Sequence, residues 1–257
     1  MPTPKTPSLK PSFRKPLLYG TGVVLAAALL GYVSYRATAP DHSASDSSYV
    51  AEVAADPDAG VHPELAKLAR RDPGDKLAQG RADAPVVLIE YADFKCGYCG
   101  KFARDTESAL VKKYVGNGTL RIEWRNFPIF GAESEAAARA AWAAGQQGRF
   151  WQFHAAAYAE GVKEKGFGKA RLKALAQQAG VADLDRFARD ADSSAASAAV
   201  SKDQEQGYAI GATSTPSFLI NGRPIAGAQS MEVFTQAIDA AAADRARNTK
   251  DAKGADK

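Results

Sequence analysis

The chain has 257 residues, with 33 Lys and Arg against 29 Asp and Glu, and 46% of its residues are apolar. This is too apolar for a disordered chain and enough for one ordinary domain with additional segments. The formal charge of +4 equals the four cations Lys5, Lys10, Arg14 and Lys15 at the N-terminus, so the rest is formally neutral and carries no basic stripe for nucleic acid.

Residues 17 to 35 contain no charge and are mostly Leu, Val, Ala and Gly. As a helix they would reach roughly 28 Å, close to the thickness of a bilayer core. The preceding cations orient such a helix with its N-terminus in the cytoplasm. The sequence therefore predicts a cytoplasmic stub at 1–16, a single N-terminal transmembrane anchor at 17–35 and an extracytoplasmic remainder. A cleaved signal peptide is the rival reading, because Ala37-Thr38-Ala39 supplies small residues for a cut. The apolar stretch exceeds the usual h-region of about 7–15 residues, which favours the uncleaved anchor. Residues 36–61, rich in Ala, Ser and Asp and interrupted by Pro40 and Pro57, read as a flexible extracytoplasmic linker.

The folded domain is predicted over 62–243. His62 to Arg71 has helical spacing through Leu65, Leu68 and Ala69, and Asp72-Pro73-Gly74 is a turn signal before a short segment around Leu77. Val86 to Tyr91 reads as a strand, Lys101 to Tyr114 as a helix and Thr119 to Trp124 as a second strand, which together make a βαβ unit. Residues 131–208 hold a succession of helical patterns too long for a connection, so a helical subdomain is expected there. Strand character returns at Ser217 to Ile220, and Asn221-Gly222 signals a hairpin before Arg223-Pro224-Ile225. A helix built on Val233, Phe234, Ala237, Ile238 and Ala241 completes the domain, and 244–257 reads as a disordered tail.

Both cysteines lie in Cys96-Gly97-Tyr98-Cys99, between the first strand and the helix that follows. Two positions three apart at a helix start share one side and lie within disulfide reach, so the pair can open and close without refolding. The helix N-terminus favours a thiolate at Cys96, which makes Cys96 the candidate nucleophile and Cys99 the resolving thiol. A purely structural disulfide is a poor alternative, because so short a loop restrains little chain entropy. Lys95 is either an aid to the thiolate or a solvated surface charge. Tyr98 either touches substrate or caps the helix. Strand alternation puts Glu90 on the side of Val86 and Leu88, either as a carboxylate beneath the disulfide that exchanges a proton with Cys99 or as a solvent-facing acid at the strand end.

Zinc or copper could also take two thiolates from such a motif, but further ligands are scarce. The histidines are His42 in the linker, His62 at the domain start and His154 in a predicted helix, where a packed or surface side chain fits better than a ligand. The same scarcity argues against a cysteine–histidine hydrolase.

The run Glu90-Tyr91-Ala92-Asp93-Phe94-Lys95-Cys96-Gly97-Tyr98-Cys99, then Phe127-Pro128, a helical insertion and Thr215-Pro216-Ser217-Phe218-Leu219-Ile220-Asn221-Gly222, resembles the DsbA-like thioredoxin family over roughly residues 75 to 243. The resemblance implies an α/β thioredoxin fold with an inserted helical subdomain and a thiol–disulfide oxidoreductase acting on exported proteins. It gives Cys96 the nucleophile position, Cys99 the resolving position, Glu90 the buried acid position and Thr215-Pro216 the loop facing the disulfide, with Pro216 cis. It implies no cofactor beyond the redox disulfide, and a membrane recharging partner resembling DsbB or a vitamin-K-epoxide-reductase-like protein. Gly97-Tyr98 departs from the Pro-His of the familiar strong oxidases and, with Thr215, resembles isomerases of the DsbC type. An oxidase is the leading expectation and an isomerase or reductase the second. A redox-inactive binding or metal-delivery module is the reading from another class.

Overall fold

The computed structural model describes residues 60–255, so the expected stub, anchor and all but the end of the linker lie outside the described residues. No helix among the described residues is long and apolar enough to cross a membrane. A short helix, α1 (Pro63–Ala66), opens the described chain, with proline at its start. It stops well before Arg71, where the sequence pattern would have carried it, because the Arg70 and Arg71 amides turn away to donate to the Glu123 carboxylate, both at 2.8 Å.

Five strands form a mixed sheet in the order β1-β3-β2-β4-β5: β1 (Ala78–Gln79), β2 (Val86–Ala92), β3 (Leu120–Asn126), β4 (Ser217–Ile220) and β5 (Arg223–Ala226). β2 and β3 run parallel, with Val86 opposite Leu120 and Glu90 opposite Trp124, and the other pairings are antiparallel. Between β2 and β3 lies the continuous helical stretch α2, made of Gly97–Phe102, Ala103–Glu107, Ser108–Leu110 and Val111–Val115. Its second and fourth pieces have the wider π-helical turn. The β4–β5 hairpin turns at Asn221 (φ 44°) and Gly222 (φ 92°). A side chain at Gly222 would also sit 2.5 Å from the His62 carbonyl oxygen, so glycine is needed for both conformation and space.

Strand alternation divides the sheet into two faces. Val86, Leu88, Leu120 and Ile122 point to one side and pack with Phe102 and Leu110 of α2 and with Val233, Phe234 and Ile238 of the last helix, α8 (Met231–Ala255). Val87, Ile89 and Tyr91 point the other way, against Leu65, Leu68 and Phe127. The helical subdomain comprises α3 (Ala132–Gly145), α4 (Phe150–Ala157), a single 3₁₀ turn (Lys163–Lys165), α5 (Lys169–Gln178), α6 (Leu184–Ala191) and α7 (Ser194–Ala209). Its core of alanines, Phe150, Phe153, Leu172, Leu175 and Phe187 is continuous with Phe94, Cys96, Cys99 and Trp124 at the end of the sheet.

The chain expected to be a disordered tail from Asp244 instead continues α8 to Ala255. Its apolar stripe ends near Ala242, but no proline or glycine interrupts the helix before Gly254. Alanine and arginine favour the helical state, and Arg247 pairs with Asp244 at 2.7 Å.

Candidate active site

Cys96 stands at the N-cap of α2, where its sulfur accepts from the Cys99 amide at 3.4 Å and its carbonyl oxygen from the Gly100 amide at 3.1 Å. Both thiols are free and buried. Across the cleft, the Thr215–Pro216 peptide bond is cis, and the Thr215 carbonyl oxygen lies 3.2 Å from Cys96 Sγ. The Cys99 thiol, as hydrogen-bond donor, lowers the Cys96 pKa against the opposing effect of burial. The backbone amides of Cys99 and Tyr98 add to the lowering, and Cys96 comes to about 6. Burial pushes the Cys99 thiol well above its ordinary value, and the neighbouring Cys96 and Glu90 act in the same direction. One thiol is thus set up as the attacking thiolate and the other as a protonated partner.

Glu90 is fully buried, and neither carboxylate oxygen has a hydrogen-bond partner. Burial raises its pKa well above the ordinary value, and the charges of Glu107 and Cys96 raise it further. Of the two positions open to it from the sequence, Glu90 occupies the interior one. Gly97 leaves room at the helix start, with its nearest neighbour the Lys163 stem at 3.5 Å from an added Cβ. Tyr98 is 70% exposed and contributes no cap, since the side-chain cap is Cys96 itself. Lys95 turns to Glu133, Nζ to Oε2 at 2.9 Å, and its backbone amide donates to Asp93.

Asp93 and Tyr158 organise the site, and neither was singled out by sequence. The Asp93 carboxylate accepts from the amides of Lys95, Ile129 and Phe130 at 2.8, 2.7 and 3.1 Å, tying the cysteine loop to the segment after β3. Its carbonyl oxygen receives the Cys96 amide at 3.0 Å and the Tyr158 hydroxyl at 2.9 Å. The position of Asp93 directly after the strand Val86–Ala92 was a usable turn signal. Nothing local marks Tyr158, which comes from the subdomain. His154 is buried among Phe94, Trp124, Phe150, Trp151 and Tyr158, in agreement with a packed histidine. Among the described residues no cluster of His, Cys, Asp and Glu could hold a metal.

This sheet, with a cysteine pair at the start of the helix after β2 and a cis proline facing it, defines a thioredoxin-type protein. The chain belongs to the thioredoxin family, whose pattern it matches over residues 72–240. Among individual proteins, it is 28% identical over 148 residues to the probable disulfide bond formation protein D of Bacillus cereus, covering 56% of this chain and 68% of that one. It is 29% identical over 188 residues to Na(+)/H(+) antiporter NhaA 1 of Salinispora arenicola, covering 72% of this chain but 28% of the antiporter. The chain thus spans about a quarter of the length of the first curated relatives it matches. The solved structure of Wolbachia pipientis alpha-DsbA1 superposes with a TM-score of 0.61 at 22% identity, covering 72% of this chain and 99% of that one. The likeness in fold to DsbA, expected from the motifs, therefore holds.

Proposed function

We propose that this protein is an extracytoplasmic thiol–disulfide oxidoreductase that introduces disulfides into exported proteins through Cys96 and Cys99. The observation that carries the reading is the division of labour between the thiols: Cys96 is stabilised as a thiolate beside Thr215 and Pro216, while Cys99 is held protonated. A substrate thiolate attacks Cys96 Sγ of the disulfide form, and the Cys96–Cys99 bond breaks with its electron pair passing to Cys99. A second substrate thiolate then attacks the substrate sulfur in the mixed disulfide and releases Cys96 as thiolate. The substrate is oxidised by two electrons and the cysteine pair is reduced. Stabilising the Cys96 thiolate stabilises the reduced protein, which favours the oxidising direction. The name of the Bacillus relative, a disulfide bond formation protein, supports the same reading.

Residues 17–35 would anchor the protein in the membrane with the cysteine pair outside the cytoplasm, where disulfides persist. A membrane partner resembling DsbB or a vitamin-K-epoxide-reductase-like protein would reoxidise the pair. An isomerase or reductase is the second reading, supported by Gly97-Tyr98 and by Thr215 before the proline. The test is oxidation of a reduced, cysteine-containing test protein by the full chain, with Cys96→Ser as control. Oxidation that depends on Cys96 is expected. Identical behaviour of the two proteins would contradict exchange, and preferential repair of a scrambled substrate would favour the isomerase.

A further inference from the structure

A cavity of about 310 Å³ opens at the end of the sheet away from the cysteine pair, between the β4–β5 turn, α1 and α8. Pro85, the residue before β2, lines it, whereas the cysteine loop follows the last residue of that strand. Three arginines share its wall: Arg71 beyond α1, Arg223 from β5 and Arg245 from α8. Arg223 is buried, so part of this charge is built into the fold. Val61, at the start of the described chain, also lines the cavity, which therefore lies where the chain enters the domain.

Arg71 lies in the left-handed region, at φ 48°, which turns its amide to Glu123 Oε1 at 2.8 Å. Its Nη1 donates to the Ala82 and Ala84 carbonyl oxygens at 3.2 and 2.7 Å, which fixes the guanidinium, and among the described residues its Nε and Nη2 have no acceptor. The nearby acids are engaged elsewhere. Asp244 in the cavity wall pairs with Arg247 at 2.7 Å, Asp83 with Arg81 at 2.6 Å, and Glu123 with Arg121 and Arg125. Among the described residues, neither Arg71 nor Arg245 has an ion-pair partner of its own. Burial lowers the Arg71 pKa, and the charge of Arg245 lowers it further against the pull of Glu123. Two like charges thus line one cavity without an acid to share, which makes the cavity attractive to an anion.

Two guanidinium groups arriving from separate elements suit a tetrahedral phosphate, because a planar carboxylate is matched by a single fork. Pro63, Ala66, Ala237 and Ala241 add apolar wall for a carbon substituent. We propose that the cavity binds a phosphate ester, its phosphate held by Arg71 and Arg245 beside Arg223 and its substituent packed on Ala66, Ala237 and Ala241. The ester comes from one of two sources, a lipid headgroup or a soluble molecule. The site is separate from the cysteine pair and does not depend on the exchange proposed above.

The test is calorimetric titration of the full chain in maltoside micelles, at fixed ionic strength, with glycerol phosphate, with dihexanoylphosphatidylglycerol and with glycerate as the planar carboxylate. At least one of the two phosphate esters should bind, and more tightly than glycerate. Tighter binding of glycerol phosphate identifies a soluble ester as the source, and tighter binding of the short-chain lipid identifies a headgroup; either supports the proposal. Arg245→Ala, on the exposed side of α8, should weaken binding about tenfold or more, the loss of a charge-assisted pair. Because Arg71 also holds two carbonyl groups, its variant is Arg71→Lys, which keeps the charge, loses the fork and should weaken binding to a smaller extent. Lys169→Ala, which removes a cation from the helical subdomain, and Cys96→Ser should both bind like the wild type. No binding of either ester, glycerate bound as tightly as the esters, or affinity unmoved in Arg245→Ala would each overturn the proposal.

Discussion

The sheet buries charge on both faces, and the two faces treat it in opposite ways. On one side, Glu123 accepts from Arg121 Nε at 2.8 Å, from Arg125 Nη2 at 2.9 Å and from the amides of Arg70 and Arg71. Burial alone would raise its pKa, but the hydrogen bonds from Arg121 and Arg125 outweigh it and hold Glu123 at about 2. Asp203 of α7 joins the same network, accepting from the Asn126 amide at 3.0 Å and pairing with Arg70. On the other side, Glu90 and Glu107 have no such donors, and burial raises both carboxyls above their ordinary value, Glu107 to about 8. A buried carboxylate surrounded by donors stays charged and fixes structure, whereas one denied them holds its proton more tightly. The same residue type does both, and its neighbours decide which.

Breaking the paired face should cost the most. Glu123→Ala leaves Arg121 and Arg125 buried without their shared acceptor, and a loss of about 3–5 kcal/mol is expected in urea unfolding. Loss of less than about 1 kcal/mol would mean that the network is not held as described.

The unpaired face should respond in the opposite sense, and with pH. Folded Glu107 keeps its proton to about 8, against an ordinary value of 4.5, so the folded state binds more protons over that window and stability falls as pH rises through it. Glu107→Gln should flatten this part of the stability profile and gain on the order of 1–3 kcal/mol over the wild type at the alkaline end. Parallel profiles for the two proteins would contradict an unpaired Glu107.

A smaller effect concerns Cys96. Its folded value is about 6 against an ordinary 9.0, so the reduced protein gains stability relative to the oxidised form as pH rises between them. At neutral pH that gain is about 1 kcal/mol. Alkylation of reduced protein should titrate with a midpoint near 6 at Cys96, while Cys99 stays unreactive. Smallest of all, Lys95→Ala should change stability by less than about 0.5 kcal/mol and leave the Cys96 midpoint near 6, because Lys95 is a half-exposed ion-pair partner of Glu133.

Much of this architecture was legible because its signals are local. Val86 to Tyr91 and Thr119 to Trp124 announce their strands by composition and alternation, and Asn221-Gly222 announces its turn. The helical insertion shows itself as a run too long for a loop. Alternation also placed Glu90 on the side of Val86 and Leu88, although it left open whether the strand end was buried. The subdomain settles that point by covering it, with Tyr158 stacked on Phe94 and His154 in edge contact with Trp124. The proximity of Glu107 to His154 was beyond reach, because it joins distant parts of the chain and depends on a π-helical turn that no residue type signals. The short α1 and the long α8 were misjudged for related reasons. Glu123 captures amides that would otherwise continue the first helix, and propensity extends the second beyond its apolar stripe.

The most direct measurement is the reduction potential of the Cys96–Cys99 pair in the full chain, equilibrated against glutathione, with Cys96→Ser as control. The proposed oxidase requires a single two-electron transition at or above about −180 mV, present only when Cys96 is present. A transition near the −270 mV or so of a reducing thioredoxin would contradict the oxidising direction, and no Cys96-dependent transition would contradict thiol–disulfide exchange itself.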